Sequence, residues 1–138
     1  MEQLKSLYSG QTGLPANKIV PTVGLNVGKL EVDKKSLVLW DLGGQQGLRT
    51  IWDKYYRDAH GVIYVVDSAD SKRLDECKKE LEVVCANKEL EGAPVLIVAN
   101  KQDLAEALSV EAVSLALNVA AIKTRRVVSV APVSAIKG

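Results

Sequence analysis

Apolar and polar positions along the chain follow two different periods. Short apolar runs bounded by turn residues predict strands near Gly24–Val32, Ser36–Asp41, Gly61–Asp67, Pro94–Asn100 and Val127–Val133. Segments with helical apolar spacing predict helices near Glu2–Tyr8, Leu48–Arg57, Ser71–Asn87 and Val110–Asn118. This alternation is typical of an α/β fold with a mostly parallel sheet and helices on both of its faces.

The first two strands are joined by the short turn "DKK", which predicts an antiparallel hairpin at a sheet edge. The apolar phase shifts inside the first strand, because Leu25 and Val27 share one parity whereas Leu30 and Val32 share the other. We expect a β-bulge at Gly28–Lys29 to reconcile the two phases. The stretch "SGQTGLPANKIVPTVG" before the hairpin has the glycines and prolines of a loop.

Length and charge limit the classes of function. The 138 residues suit a single domain, and 18 basic residues nearly balance 17 acidic ones, so charge indicates neither a nucleic-acid nor a membrane partner. The apolar runs are too short to cross a bilayer and no signal-peptide core precedes them, so we expect a cytoplasmic protein. Because Glu2 excludes myristoylation and "SAIKG" is not a prenylation box, we expect membrane association only through parts absent from this chain.

The two cysteines have no metal-type spacing. Cys77 and Cys85 fall on the apolar stripe of one predicted helix, together with Leu74, Leu81 and Val84. We interpret them as small buried thiols in a reducing compartment.

Polar residues follow several predicted strands at the ends where open α/β sheets bind ligands. After the fourth strand comes "NKQD", in which the Asp103 carboxylate could accept two hydrogen bonds from N–H donors on one edge of guanine, a pair that adenine does not offer. The stem of Lys101 could lie along a base plane, and Asn100 could bridge the base and a facing loop. A polar loop that caps a helix through Asp103 would have the same residues.

The second strand runs into "DLGGQQG". Asp41 could hold a divalent cation through water, Gly44 could offer its backbone N–H to a terminal phosphate, and Gln45 could orient an attacking water. An ordinary strand-to-helix turn would also use glycines but does not need the aspartate and the glutamine.

Two weaker motifs complete the set. Thr22 in "PTVG" could ligate Mg²⁺ through its hydroxyl and touch the terminal phosphate through its N–H. After the last strand, Ser134 and Ala135 begin a loop whose Ala135 N–H could donate to a guanine oxygen. Each is common as a turn, but four such motifs in order, each beside a strand end, favour a guanine-nucleotide site.

The stretches "PTVGLNVGKLEV", "WDLGGQQGLRTIWDKYY", "GVIYVVDSAD" and "VLIVANKQDL" resemble the ADP-ribosylation-factor family of small GTPases, and within it the ADP-ribosylation-factor-related branch. The resemblance covers nearly the whole chain. It implies a three-layer G-domain that switches between GDP and GTP with Mg²⁺, hydrolyses GTP, and acts in Golgi and endosomal membrane traffic with an exchange factor, an activating protein and effectors.

The resemblance also implies that the hairpin from Leu25 to Asp41 slides when the nucleotide changes. It further implies that Leu25, Trp40 and Tyr55 form an apolar patch read by effectors, and exposed aromatic residues are good anchors for a partner. Both aromatic residues could instead be ordinary core residues.

The chain has no match to the phosphate-binding loop G-x-x-x-x-G-K-[ST]. Losing three charge-assisted bonds to phosphate would cost about 5–9 kcal/mol, or roughly four to six orders of magnitude in affinity. We therefore expect a single incomplete G-domain over residues 1–138, without the central first strand and the last helix, and with apolar surface exposed on one sheet face.

Three hypotheses follow from this combination of motifs. The first is a family GTPase shortened at both ends. The second is a nucleotide-free interaction module that keeps the hairpin and its patch. The third is an α/β domain of another class whose motifs are coincidental.

Overall fold

The structure, a computed structural model, describes residues 1–9 and 13–137 and has two compact units, Met1–Tyr55 and Tyr56–Gly138. The loop predicted before the hairpin includes residues 10–12, which, like Gly138, lie outside the described residues. In the part of the chain that is described, no helix is long and apolar enough to span a membrane.

The first unit is built on the predicted antiparallel hairpin, which forms a two-stranded sheet of its own and not, as expected, the edge of a larger sheet. Helix α1 (Glu2–Ser9) and a 3₁₀ turn (Ala16–Lys18) precede strands β1 (Leu25–Val32) and β2 (Lys35–Leu42). Asp33 and Lys34 form the two-residue connection, with φ of 50° and 63°. Positive φ at both central positions is the conformation whose twist matches that of the two strands, so the turn sets their register.

The predicted β-bulge at Gly28–Lys29 is wrong. The β1–β2 ladder runs without interruption from Leu25 opposite Leu42 to Val32 opposite Lys35. The apolar phase shift has another cause, since both faces of the hairpin carry apolar residues. Gly28 and Leu30 are buried on one face, whereas Val27 lies on the exposed face opposite Trp40.

Helix α1 packs on the face of β1 that contains Gly28. A Cβ atom at Gly28 would come within 2.8 Å of the Met1 sulfur, so glycine permits the close approach of the chain start to this strand. The face carrying Leu25 and Val27 stays exposed.

A 3₁₀ helix spans Gln46–Asp58, where the sequence predicts a helix over Leu48–Arg57. Its period of about three residues is too close to that of an α-helix for an apolar pattern to separate the two. Within this helix, the Trp52 indole N–H donates to the carbonyl of Gly43 at 3.0 Å, which fixes the helix to the loop after β2.

The second unit contains a parallel sheet in the order β3 (Val62–Asp67), β4 (Val95–Asn100) and β5 (Val128–Pro132). A 3₁₀ turn (Ser71–Arg73) leads into α2 (Leu74–Ala86), and a second one (Lys88–Leu90) precedes β4. Helices α3 (Val110–Ala116) and α4 (Val119–Lys123) connect β4 to β5. All of these strands and the long helix match the predicted elements closely.

Helix α4 lies where no helix is predicted from the sequence. The helix predicted over Val110–Asn118 ends earlier, at Ala116, and Asn118 adopts a left-handed conformation with φ of 53°. Asparagine tolerates this conformation better than most residues, so the chain turns here and begins a second short helix.

The core of the second unit lies between one face of the sheet and helices α2, α3 and α4. It consists of fully buried aliphatic side chains from all of these elements: Val66, Leu74, Leu81, Val95, Ile97, Ala99, Val113, Leu117, Val119 and Val128. Cys77 and Cys85 lie on α2 and pack against this cluster, but both are half-buried and not fully buried as predicted.

The opposite face of the same sheet exposes apolar side chains. Ile63 and Val65 on β3 are 52% and 61% exposed, and they alternate with the core residues of that strand. This agrees with the expectation that one sheet face presents apolar surface.

Candidate functional site

The loops that follow β4 and β5 are tied together by hydrogen bonds. The Ser134 hydroxyl donates to Asp103 Oδ1 at 2.7 Å, and the Ala135 N–H donates to Asn100 Oδ1 at 3.1 Å. The Gln102 N–H donates to the Val133 carbonyl at 3.1 Å. Four of the five residues predicted for guanine recognition therefore meet directly, at the carboxyl end of the parallel sheet where such folds bind ligands.

Lys101 is the fifth of these residues, and both ends of its side chain are fixed. Its backbone is left-handed, with φ of 66°, and its ammonium lies 2.6 Å from Asp67 Oδ2 at the end of β3. The Lys101 side chain is half exposed, so part of it is open to solvent. A planar base could lie along it.

The electrostatics of the site favour an ionised Asp103. The hydrogen bond from the Ser134 hydroxyl holds the pKa of the Asp103 carboxyl below its ordinary value, and the nearby Lys137 and Lys101 ammonium groups add to this effect. A carboxylate only accepts hydrogen bonds, so Asp103 presents acceptor oxygens to any ligand. Guanine offers two adjacent N–H donors that match them.

The Ala135 N–H has a protein partner in this structure, since it donates to Asn100 Oδ1. The sequence predicts instead that this N–H donates to a guanine oxygen and that Asn100 bridges the base and a facing loop. The observed bond joins Asn100 to the loop after β5, and a base oxygen arriving here would compete with Asn100 for the same donor.

The residues predicted for the phosphate end lie in the first unit. The Thr22 hydroxyl donates to Asp41 Oδ2 at 3.4 Å, so the two residues predicted to hold a cation are neighbours. Gly43 makes this possible, because a Cβ atom there would overlap the Thr22 carbonyl oxygen and would approach the Leu48 side chain to 2.8 Å. The backbone of the loop after β2 therefore lies directly against that of Thr22.

The next two residues of this loop face open space. No atom lies within 4 Å of a Cβ position at Gly44, so a ligand can approach its backbone closely. The Arg49 side chain donates to the Gly44 carbonyl at 2.8 Å and thereby fixes the peptide. Gln45 is exposed at the start of the 3₁₀ helix, where its side chain is available to solvent.

The donor set of the first unit fits a magnesium ion better than a transition metal. In residues 1–9 and 13–137, no three His, Cys, Asp or Glu side chains cluster as a metal site would require. Mg²⁺ commonly keeps several waters and takes only one or two protein oxygens together with phosphate oxygens. Thr22 and Asp41 are oxygen donors of this kind and could hold Mg²⁺ together with phosphate.

The predicted apolar patch also lies in the first unit. The rings of Trp40 and Tyr55 have centroids 5.9 Å apart and are tilted by 50°. Leu25 is 38% exposed and shares the outer face of the hairpin with Trp40, which is 36% exposed. Leu25 and Trp40 are therefore surface residues, whereas Tyr55 is half-buried beside the Trp40 ring.

Comparison with known proteins identifies the class of this molecule. Residues 7–138 match the ADP-ribosylation factor family. The chain is 49% identical over 111 residues to human ADP-ribosylation factor-related protein 1, covering 80% of this chain and 55% of that protein. It is 42% identical over 140 residues to ADP-ribosylation factor-like protein 3 of Saccharomyces cerevisiae, covering 100% and 70%. The chain belongs to the ADP-ribosylation factor family.

A solved structure supports the same fold. The Arl6 BBS3 small GTPase from Trypanosoma brucei, determined with the nucleotide analogue GppNp, matches with a TM-score of 0.81 and 30% identity over 90% of this chain and 76% of that one. The α/β small-GTPase fold is thus confirmed. The chain spans 55% of the length of ADP-ribosylation factor-related protein 1 from rat, mouse and human.

Three residues that organise these loops were missed by sequence reasoning. Asp67 holds Lys101, and the signal for it was a carboxylate at a strand end. Gly43 permits the contact with Thr22, and its signal was the first glycine of "GG". Gln102 donates from its side chain to the Leu108 carbonyl at 3.0 Å, and nothing in the sequence distinguishes it from an ordinary loop residue.

Proposed function

We propose that this chain carries the guanine-recognition loops and the switch hairpin of a small GTP-binding protein. The observation that supports this most directly is the pair of bonds between "NKQD" and the loop after β5, from Ser134 to Asp103 and from Ala135 to Asn100. They hold the two recognition loops together before a ligand arrives. Such preorganisation reduces the cost of binding.

In this proposal, Asp103 accepts from the two N–H donors of guanine. Lys101 lies along one face of the base, and Asn100 holds the loop that carries Ala135. Adenine lacks the two matching donors and would leave a charged carboxylate unpaired, which is the basis of selectivity.

The first unit supplies the residues that we assign to the phosphate end. Asp41 and Thr22 hold Mg²⁺, Gly44 donates its N–H to a terminal phosphate, and Gln45 orients the attacking water for GTP hydrolysis. The open space beside Gly44 and the exposure of Gln45 support these roles. Hydrolysis in this class often needs an arginine from an activating protein, so the intrinsic rate would be slow.

We further propose that the GDP and GTP states differ at the hairpin and that effectors dock on Leu25, Trp40 and Tyr55. An exchange factor and an activating protein would set the balance of the two states. The family suggests a cytoplasmic protein that associates with Golgi membranes during vesicle traffic. The exposed Trp40 side chain in this patch supports a protein-binding role.

A second function has support from one observation. The Leu25 and Trp40 side chains of the apolar patch are exposed. An interaction module that binds partners through the hairpin and holds no nucleotide would have this feature.

One titration separates the two functions. The ¹⁵N-labelled chain is titrated with Mg²⁺–GDP and, in parallel, with Mg²⁺–ADP, and the backbone amides of residues 100–103 and 134–135 are followed by NMR. The GTPase proposal predicts saturable shifts of these amides with GDP that ADP does not reproduce at equal concentration. Equal responses to both nucleotides, or none, would favour the interaction module.

A further inference from the structure

Asp67 is the last residue of β3 and lies opposite Asn100 in the ladder with β4. Its Oδ2 atom lies 2.6 Å from the ammonium of Lys101, the residue that follows Asn100. The Lys101 side chain thus reaches back from the end of β4 to the end of β3. Its stem is held at one end by a left-handed backbone and at the other by an ion pair.

The Asp67 carboxylate is itself held in place. Its Oδ1 atom accepts the Ala69 N–H at 3.0 Å, which leaves Oδ2 for Lys101. The following residue, Ser68, donates its N–H to the Asn100 carbonyl at 3.1 Å and so connects this turn to the start of the "NKQD" loop. The acceptor is therefore fixed relative to the lysine that it binds.

A free lysine side chain samples many rotamers, and a base that stacks on its stem must first select one of them. An ion pair at the far end restricts the stem before the base arrives, so less entropy is lost on binding. Because the side chain is half exposed, part of it remains accessible to a base in spite of the ion pair.

We propose that Asp67 is a positioning residue for base binding, which acts only through the ammonium of Lys101. It holds the lysine stem extended across the strand ends so that guanine stacks on a preformed surface. The inference rests on the proposed guanine-binding function and extends it to a residue outside the recognition loops.

A double-mutant cycle tests this role. Mg²⁺–GDP affinity is measured by NMR titration for the wild-type chain, Asp67→Asn, Lys101→Met, and the double variant. Asp70→Asn is the matched control, a carboxylate in the same turn whose side chain makes no capping hydrogen bond. We expect Asp67→Asn to weaken binding about 2- to 5-fold, as for a partly exposed ion pair, and Asp70→Asn to leave it unchanged. In the Lys101→Met background, Asp67→Asn should have no further effect.

A second readout reports on the stem directly. In the wild-type chain, GDP should move the Lys101 methylene protons upfield through the ring current of the stacked base, and Asp67→Asn should reduce this shift. If Asp67→Asn does not fold, Asp67→Ser, whose hydroxyl can still accept the Ala69 N–H but cannot pair with an ammonium, takes its place with the same expected results.

The outcomes distinguish this inference from the proposed function. A wild-type chain without guanine-selective binding would overturn both. If the wild type binds guanine selectively, the inference alone fails in either of two cases. In the first, Asp67→Asn binds Mg²⁺–GDP as tightly as Asp70→Asn does. In the second, Asp67→Asn weakens Mg²⁺–GDP binding by the same factor in the wild-type and Lys101→Met backgrounds.

Discussion

Replacing Arg126 by methionine should destabilise the second unit strongly. This guanidinium lies just before β5 and donates to three backbone carbonyls, those of Cys85 at 2.7 Å, Leu90 at 3.1 Å and Ala93 at 3.3 Å. Cys85 is in the last turn of α2, where carbonyls have no partner within the helix. One side chain therefore ties the end of α2 to the segment that leads into β4.

The expected loss in the free energy of unfolding follows from the three hydrogen bonds of Arg126. A hydrogen bond to a charged group contributes about 1.5–3 kcal/mol when it is fully buried, but these are part-buried and their carbonyls can regain water. We therefore assign about 0.5–1.5 kcal/mol to each, or roughly 2–4 kcal/mol in total. For a chain of this size, about 3 °C per kcal/mol converts this to a fall in Tm of roughly 6–12 °C.

Thermal and urea unfolding followed by circular dichroism measure the effect. The matched control is Arg125→Met at the adjacent, exposed arginine, which should change stability by no more than about 0.5 kcal/mol. Arg126→Lys should fall between the two, because an ammonium keeps the charge but cannot span three carbonyls. If Arg126→Met were no less stable than Arg125→Met, the three hydrogen bonds of Arg126 would contribute nothing to the free energy of unfolding.

Three further predictions concern other parts of the chain. Gly43→Ala should disrupt the contact between Thr22 and the loop after β2 and lower the Tm. Gly47→Ala is the control and should leave the Tm unchanged, because its Cβ meets no atom within 4 Å; melting curves of both variants check this. Burial raises the pKa of Cys85, although Arg126 opposes the shift. Alkylation of Cys85 by iodoacetamide should therefore be slower than in the unfolded chain, and its rate should rise only above the ordinary pKa of a thiol. Mass spectrometry of samples taken from pH 7 to about 10 measures this rate. The same shift stabilises the fold below the ordinary thiol pKa, and this contribution is lost as the pH rises through the raised value. In a version of the protein that hydrolyses GTP, Gln45→Leu should slow single-turnover hydrolysis and spare nucleotide affinity; an equal loss of both would contradict the water-orienting role.

The strands could be predicted from the sequence because their apolar runs end at residues that cannot continue them. The run that ends at Asp67 and the run that ends at Asn100 are both strands with the expected ends. The adjacency of Asn100, Asp103 and Ser134 could also be anticipated, because the carboxyl ends of parallel strands meet at one edge of a sheet.

Other features depend on contacts that a linear pattern does not contain. The change of apolar parity between Leu25 and Val27 and the later residues of β1 suggested a bulge, although the ladder is uninterrupted. A sequence pattern shows which residues are apolar, but not which face of the hairpin is covered by the rest of the protein. The ion pair between Asp67 and Lys101 requires the register of β3 against β4 and the left-handed backbone at Lys101, and both are set by tertiary structure. Helix α4 is only five residues long, and so short a segment gives too weak an apolar pattern to predict a second helix after Asn118.

The proposed recognition of guanine by Asp103 is tested most directly by the base preference of Asp103→Asn. The variant replaces one acceptor oxygen by an amide donor and can still accept from the Ser134 hydroxyl through its remaining oxygen. Competition between GDP and xanthosine diphosphate, each with Mg²⁺, gives the ratio of affinities for the wild-type and variant chains. We predict that the wild type prefers GDP and that Asp103→Asn prefers xanthosine diphosphate. An unchanged preference for GDP in the variant would contradict the assignment of Asp103 to the base.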